Sequence, residues 1–74
     1  AMKIYPNPTN IGQVTIDSSE NGYISVQVYD VLGKQVKKEI LTSDVLSVLD
    51  LTPGLYIMQI IQNGSFTTEK LMIN

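Results

Sequence analysis

Apolar and polar residues alternate with a period of two along much of the chain. In Gln13–Asp17, Val14 and Ile16 fall on one face, with polar residues on the other. This is the signature of a half-buried strand. Residues 23–29 repeat it over a longer stretch, with Ile24, Val26 and Val28 directed inward and Ser25 and Gln27 outward. No segment carries a clean helical period. Leu55 to Ile61 is almost continuously apolar, broken by Gln59, as suits a central strand with Tyr56, Met58 and Ile60 on the core face.

Turn signals separate these runs. Asn21-Gly22 and Asn63-Gly64 each supply two residues that tolerate positive φ, and each predicts a hairpin. Asp30-Val31-Leu32-Gly33 predicts a third turn, leading to a strand that holds Val36 and Ile40. That strand alternates poorly, because Lys38 falls between them. It reads as a bulged edge strand with the lysine stem lying along apolar surface. Val45–Leu51 is mixed. Phe66–Ile73 changes register, since Leu71 and Ile73 oppose Met72, and a bulge near Thr68 or Glu69 would reconcile them. About seven short strands with closely spaced turns predict an all-β fold, an antiparallel β-sandwich. One sheet this small could not hide both of its apolar faces, so two must pack together.

The 74 residues allow a single domain spanning 1–74, with 1–2 an added start. A chain of this size buries only about 60% of its unfolded surface, and no cysteine is present to staple it. The fold must rest on its own apolar centre. Five lysines, no arginine and seven acidic residues give a net charge of −2. That argues against nucleic acid, which demands clustered Lys and Arg. Lys34, Lys37 and Lys38 form no dense patch and instead suggest a guarded sheet edge. No apolar run approaches the roughly 20 residues needed to cross a bilayer as a helix.

Chemistry is scarce. Without His or Cys, the commonest catalytic base, metal ligand and thiol nucleophile are missing, and the glycines sit singly at turns rather than in a phosphate loop. The sequence therefore predicts no enzyme, no catalytic or metal residue and no cofactor. Asp17, Glu20 and Asn21 offer oxygen ligands to a hard cation, but an exposed Asx-type turn explains them better. Asp44 and Asp50 lie too far apart for a loop site. Tyr23 and Tyr29 offer faces on which a sugar could stack, against the plainer reading of sheet-stabilising pairs. Asn63-Gly64-Ser65 matches a glycosylation acceptor, already explained as a hairpin tip. Pro6-Asn7-Pro8 makes a rigid corner after the first strand, because two prolines fix an extended path and remove two donors. Leu51-Thr52-Pro53-Gly54-Leu55-Tyr56 has the form of a tyrosine corner, in which the tyrosine hydroxyl bonds back to the preceding turn.

Four phrases in order carry a resemblance. They are Ile4-Tyr5-Pro6-Asn7-Pro8, then Val28-Tyr29-Asp30 with Gly33-Lys34, then Leu49-Asp50-Leu51 with Gly54-Leu55-Tyr56, then Lys70-Leu71. Together they resemble the type A C-terminal sorting domain of type IX secretion, the Por secretion system sorting domain family of Bacteroidetes, from about Lys3 to the last residue. The resemblance implies an Ig-like sandwich excised from the C-terminus of a larger secreted protein. It implies a signal that directs an N-terminal cargo through the outer-membrane translocation machinery, by way of the periplasm of a Gram-negative bacterium, to the cell surface or medium. A cell-surface peptidase then commonly removes the signal, and the cargo is released or attached. The family positions carry over onto Pro6, Asn7, Pro8, Asp30, Gly33, Gly54, Tyr56 and Lys70. Where members often end on a basic residue, this chain reads Met72-Ile73-Asn74. Two other readings stand beside this one: a carbohydrate-binding or adhesive accessory module, and an inert Ig-like spacer.

Overall fold

The computed structural model describes residues 2–18 and 20–74, so the reading of Ala1 as part of an added start lies outside the described residues. Seven strands succeed one another: β1 (Lys3–Tyr5), β2 (Gln13–Asp17), β3 (Ile24–Tyr29), β4 (Gln35–Leu41), β5 (Val45–Ser47), β6 (Gly54–Gln62) and β7 (Ser65–Ile73). They form two antiparallel sheets, β1-β2-β5 and β4-β3-β6-β7. The chain changes sheet after β2, after β4 and after β5. This is the small all-β sandwich that the alternating pattern predicts.

The core reflects that alternation. Val14 and Ile16 of β2, Ile24, Val26 and Val28 of β3, and Tyr56, Met58 and Ile60 of β6 are all buried. Leu46 and Val48 close the three-stranded side, and Leu71 and Ile73 complete the other. β6 is central, paired with β3 along Ser25↔Ile61 to Tyr29↔Ile57 and with β7 along its whole length. Asn63-Gly64 closes the β6–β7 hairpin as expected, with φ of 52° and 80° at its two residues, as a two-residue primed turn requires.

Four expectations need correction. Asn21-Gly22 does not close a hairpin, because β2 takes β1 and β5 as neighbours whereas β3 takes β4 and β6. A turn-forming pair between two alternating strands suits a crossing between sheets as well as a hairpin, and the period-two signal does not tell them apart. Second, β7 carries no bulge: its pairing with β6 runs unbroken from Gly54↔Ile73 to Gln62↔Ser65. Phe66 and Met72 simply share the outer face, while Leu71 and Ile73 face the core. Third, β4 is an edge strand with the register shift that its pattern suggested, but Ile40 is 70% exposed. The irregularity opposite Val28 and Tyr29 reverses the parity of the strand from one side of it to the other. Val36 packs against the core from the near side, and Leu41 is buried from the far side. Fourth, the sheltered lysine is Lys37 rather than Lys38, since Lys37 pairs with inward-facing Val28.

Val26 sits at the centre of β3 with 1% of its surface exposed. Val26→Ala removes two methyl groups from a core with little room to readjust. Urea denaturation should show a loss of about 2 kcal/mol, from lost transfer energy plus the cavity left behind.

Candidate functional site

The ladders place the four phrases. Tyr29 pairs with Ile57 and Gly54 with Ile73, so the end of β3, the start of β6 and the end of β7 share one end of the four-stranded sheet. The chain leaving β1 reaches the same end, where Thr9 bridges to Ile73. Pro6-Asn7-Pro8, Asp30–Gly33, Gly54–Tyr56 and Lys70 thus meet at one pole of the sandwich. At the opposite pole lie Asn21, Gly22, Asn63 and Gly64, together with Lys3, which pairs with Asp17 at the end of β2.

Pro6-Asn7-Pro8 forms the expected corner, but as a bend with cis bonds at Tyr5-Pro6 and Asn7-Pro8 and not along the extended path that the two prolines suggested. The role of Asn7 itself was not foreseen from the sequence. Its Nδ2 donates to the Lys70 carbonyl at 2.7 Å, and its Oδ1 accepts from the Met72 N–H at 3.0 Å. The carboxamide stands in for the peptide group of a neighbouring strand. Backbone takes over two residues later: the Thr9 N–H donates to the Met72 carbonyl at 2.9 Å, and the Asn74 N–H donates to the Thr9 carbonyl at 2.8 Å. Thr9 itself is fully buried, with Oγ1 donating to the Gln13 carbonyl at 2.8 Å.

Asp30 organises the β3–β4 turn. Its Oδ1 accepts from the N–H groups of Leu32 and Lys34, each at 2.9 Å, and its carbonyl accepts from Gly33 at 3.0 Å. Between those anchors Val31 and Leu32 project into solvent, Leu32 with 90% of its surface exposed. The tyrosine corner is present as well. The buried Tyr56 hydroxyl donates to the Thr52 carbonyl at 2.6 Å. Gly54 has φ of 152°, and no heavy atom lies within 4 Å of where a Cβ would stand. The backbone conformation, not crowding, therefore calls for glycine there. The Lys70 side chain is exposed and makes no ion pair among the described residues. The one pair found among them, Lys37 to Asp50 at 3.0 Å, ties edge strand β4 to the loop before the tyrosine corner. The hydrogen bond from Lys37 holds the Asp50 carboxyl below its ordinary range.

The other candidates do not assemble into sites. A cleft of about 270 Å³ lies at the far pole, lined by Asp17, Glu20 and Asn21 among others. The Glu20, Asn21 and Gly22 oxygens there have donors: Asn63 Nδ2 bonds the Asn21 carbonyl and Glu20 Oε1, and Gln62 Nε2 bonds the Glu20 and Gly22 carbonyls. No group of three or more acidic side chains placed to hold a metal occurs among the described residues. Tyr23, 71% exposed, precedes β3, and Tyr29 ends it. Six residues of strand put them about 20 Å apart, and the Tyr29 hydroxyl donates to Gln27. They form no shared platform.

The family model described as a secretion system C-terminal sorting domain matches residues 3–74. No curated protein matches the chain. The chain belongs to this sorting-domain family. Such a domain is a C-terminal sorting signal for type IX secretion, not itself catalytic, and directs export to the cell surface or medium. Its role implies a cargo protein and the type IX machinery.

Three measurements check this geometry. Tyr56→Phe should cost about 1 kcal/mol in a denaturant series, because the Thr52 carbonyl loses its buried partner; a neutral result would mean that the corner bond does not stabilise the fold. Asn7→Ala should also cost about 1 kcal/mol and should speed hydrogen exchange at the Met72 amide, leaving Leu71, which faces β6, slow. The lowered pKa of Asp50 adds stability that is present above the unfolded carboxyl value and disappears as pH falls below about 4. Asp50→Asn should flatten that part of the stability–pH curve, with a small amplitude because the carboxylate is exposed.

Proposed function

We propose that the secretion machinery docks on the pole where the four phrases meet, and that the cargo attaches at the opposite pole. One observation carries this reading: the aliphatic side chains left exposed on loops gather at that pole. Ile11, Val31, Leu32 and Leu49 are all exposed, on loops that the strand pairings bring to the same pole as Pro6, Asn7, Pro8, Asp30 and Gly33. A monomeric domain has no folding reason to present aliphatic tips together, and such patches mark interaction surfaces. The cleft at the far pole is lined mostly by polar residues such as Asp17, Ser18, Glu20, Asn21 and Asp44, with exposed Tyr23 nearby.

In this reading residues 1–74 are a C-terminal module of a larger secreted protein. The cargo precedes Lys3, whose strand begins at the far pole. The outer-membrane translocation machinery reads the near pole, and the cell-surface peptidase and attachment machinery act on the junction with the cargo without competing for it. Pro6, Asn7, Pro8, Asp30, Gly33, Gly54 and Tyr56 shape the docking pole through the bonds described above. Lys70 adds an exposed positive charge beside it.

The test is a periplasmic reporter fused to residues 3–74 in a bacterium with type IX secretion. Replacing Val31 with Ser and Leu32 with Asp should leave the melting curve almost unchanged, since both side chains are solvated. Export should fall by about tenfold or more, the consequence of losing ~1.4 kcal/mol of docking energy. Tyr23→Ser at the far pole should export normally. Full export of the doubly substituted domain would overturn the assignment.

A further inference from the structure

Four strand edges border the two sheets, and three of them are blunted. β1 and β5 are three residues long. β4 is irregular in register and points Lys37 and Glu39 toward the interior side, opposite Val28 and Val26. Short strands, bulges and inward charges are the ordinary protections of a sheet edge. The fourth edge, β7, is nine residues long and regular. Among the described residues it is covered only at its C-terminal end: Asn7 takes the Lys70 carbonyl and the Met72 N–H, and Thr9 takes the Met72 carbonyl and the Asn74 N–H.

Those bonds reveal which residues face the open side. Peptide groups alternate in direction along a strand, so Phe66 and Thr68 point the same way as Lys70 and Met72. The N–H and C=O of Phe66 and of Thr68, with the N–H of Lys70, form an open row that stops where Asn7 begins. Beside this row Phe66 keeps 59% of its surface exposed, next to half-exposed Ile61, its partner on β6. No bulge or proline interrupts it, and its one inward charge is Glu69, opposite Met58.

We infer that Phe66–Lys70 of β7 is a strand-addition site, which takes an extended polypeptide segment of the export machinery as a fifth strand of the larger sheet. Backbone hydrogen bonds supply the fit, and the alternate side chains set the preference. Phe66 and Ile61 favour an apolar side chain on the incoming strand, and the exposed Lys70 favours a carboxylate. Asn7 acts as a stop that fixes the register, because the edge beyond Lys70 is already paired. The site rests on the export role of the domain but is separate from the aliphatic tips of the docking pole.

Two experiments decide it. In the free domain at low concentration, the amides of Phe66, Thr68 and Lys70 should exchange rapidly, and those of Met72 and Asn74 slowly. Protection of the first three in dilute solution would overturn the inference. Protection that appears only as concentration rises would assign the edge to a second copy and overturn it equally. In the reporter assay, Thr68→Pro removes one outward N–H without touching the β6 ladder, and Thr68→Val keeps it. Export should fall about tenfold or more with proline, equivalent to ~1.4 kcal/mol, and persist with valine. Should Thr68→Pro not fold, Phe66→Pro at the start of the row replaces it. Export of a folded proline variant at the parental level would sink the proposal. Loss of export here with normal export of the Val31 and Leu32 variant would keep the edge and discard the pole, and the reverse result would do the opposite.

Discussion

The constraint behind this structure is that two small sheets must stay in register with no disulfide between them. Thirteen or so side chains cannot do this by apolar attraction alone, because hydrophobic contact is non-directional and lets layers slide. Directional bonds at the two poles supply the missing register. At one pole, Asn7 and Thr9, carried by the segment between β1 and β2, hold the end of β7. At the other, Ser18 after β2 bonds Gln62 at the end of β6, and Gln62 also holds the loop into β3. Gln62 and Thr9 are buried polar residues, and both have partners, as burial of such groups demands.

The same constraint explains why the distinctive residues are turn and corner formers. Each time the chain leaves a strand it must bend sharply and still satisfy its backbone groups. The prolines, Asp30, Gly54 and the Tyr56 hydroxyl do this at one end. Their concentration at a single pole is a consequence of topology. β1 leads out of one sheet there, the β3–β4 turn lies there, and β6 begins where β7 ends.

Much of this was legible in the sequence. Val14 and Ile16, the inward row of β3 and the inward row of β6 alternate so plainly that their burial could be assigned residue by residue. The Asn63-Gly64 hairpin and the tyrosine corner were legible because each depends on local chemistry within a few residues. The illegible features depend on partners distant in sequence. Asn21-Gly22 forms the same kind of bend whether or not the flanking strands pair. The parity of β4 depends on a shift that only its pairing with β3 defines. β7 looked broken because Phe66 and Met72 are apolar yet lie on the outer face. That misled a reading in which apolar residues belong inside, a rule that fails wherever a surface is left for something else. The bond between Asn7 and Lys70 spans almost the whole chain, and no local pattern announces it.

A signal read by a receptor has to present side chains that folding does not consume. At the near pole the motif residues are largely consumed. Asp30 spends its carboxylate on two backbone N–H groups, Tyr56 its hydroxyl on Thr52, and Asn7 both ends of its amide on β7. The side chains between and beside them remain available. Val31 and Leu32 are held at a fixed place by Asp30 and Gly33 yet touch little of the domain, and the Lys70 side chain stays exposed while its carbonyl is bound. The residues that mark the family therefore act as the frame, and in the proposed docking the surface offered for recognition is the set of neighbours that the frame positions. A substitution in the frame destabilises the domain and disturbs recognition together. One in the neighbours separates the two effects, which is why the tips of the β3–β4 turn are more informative about docking than Asp30 or Tyr56.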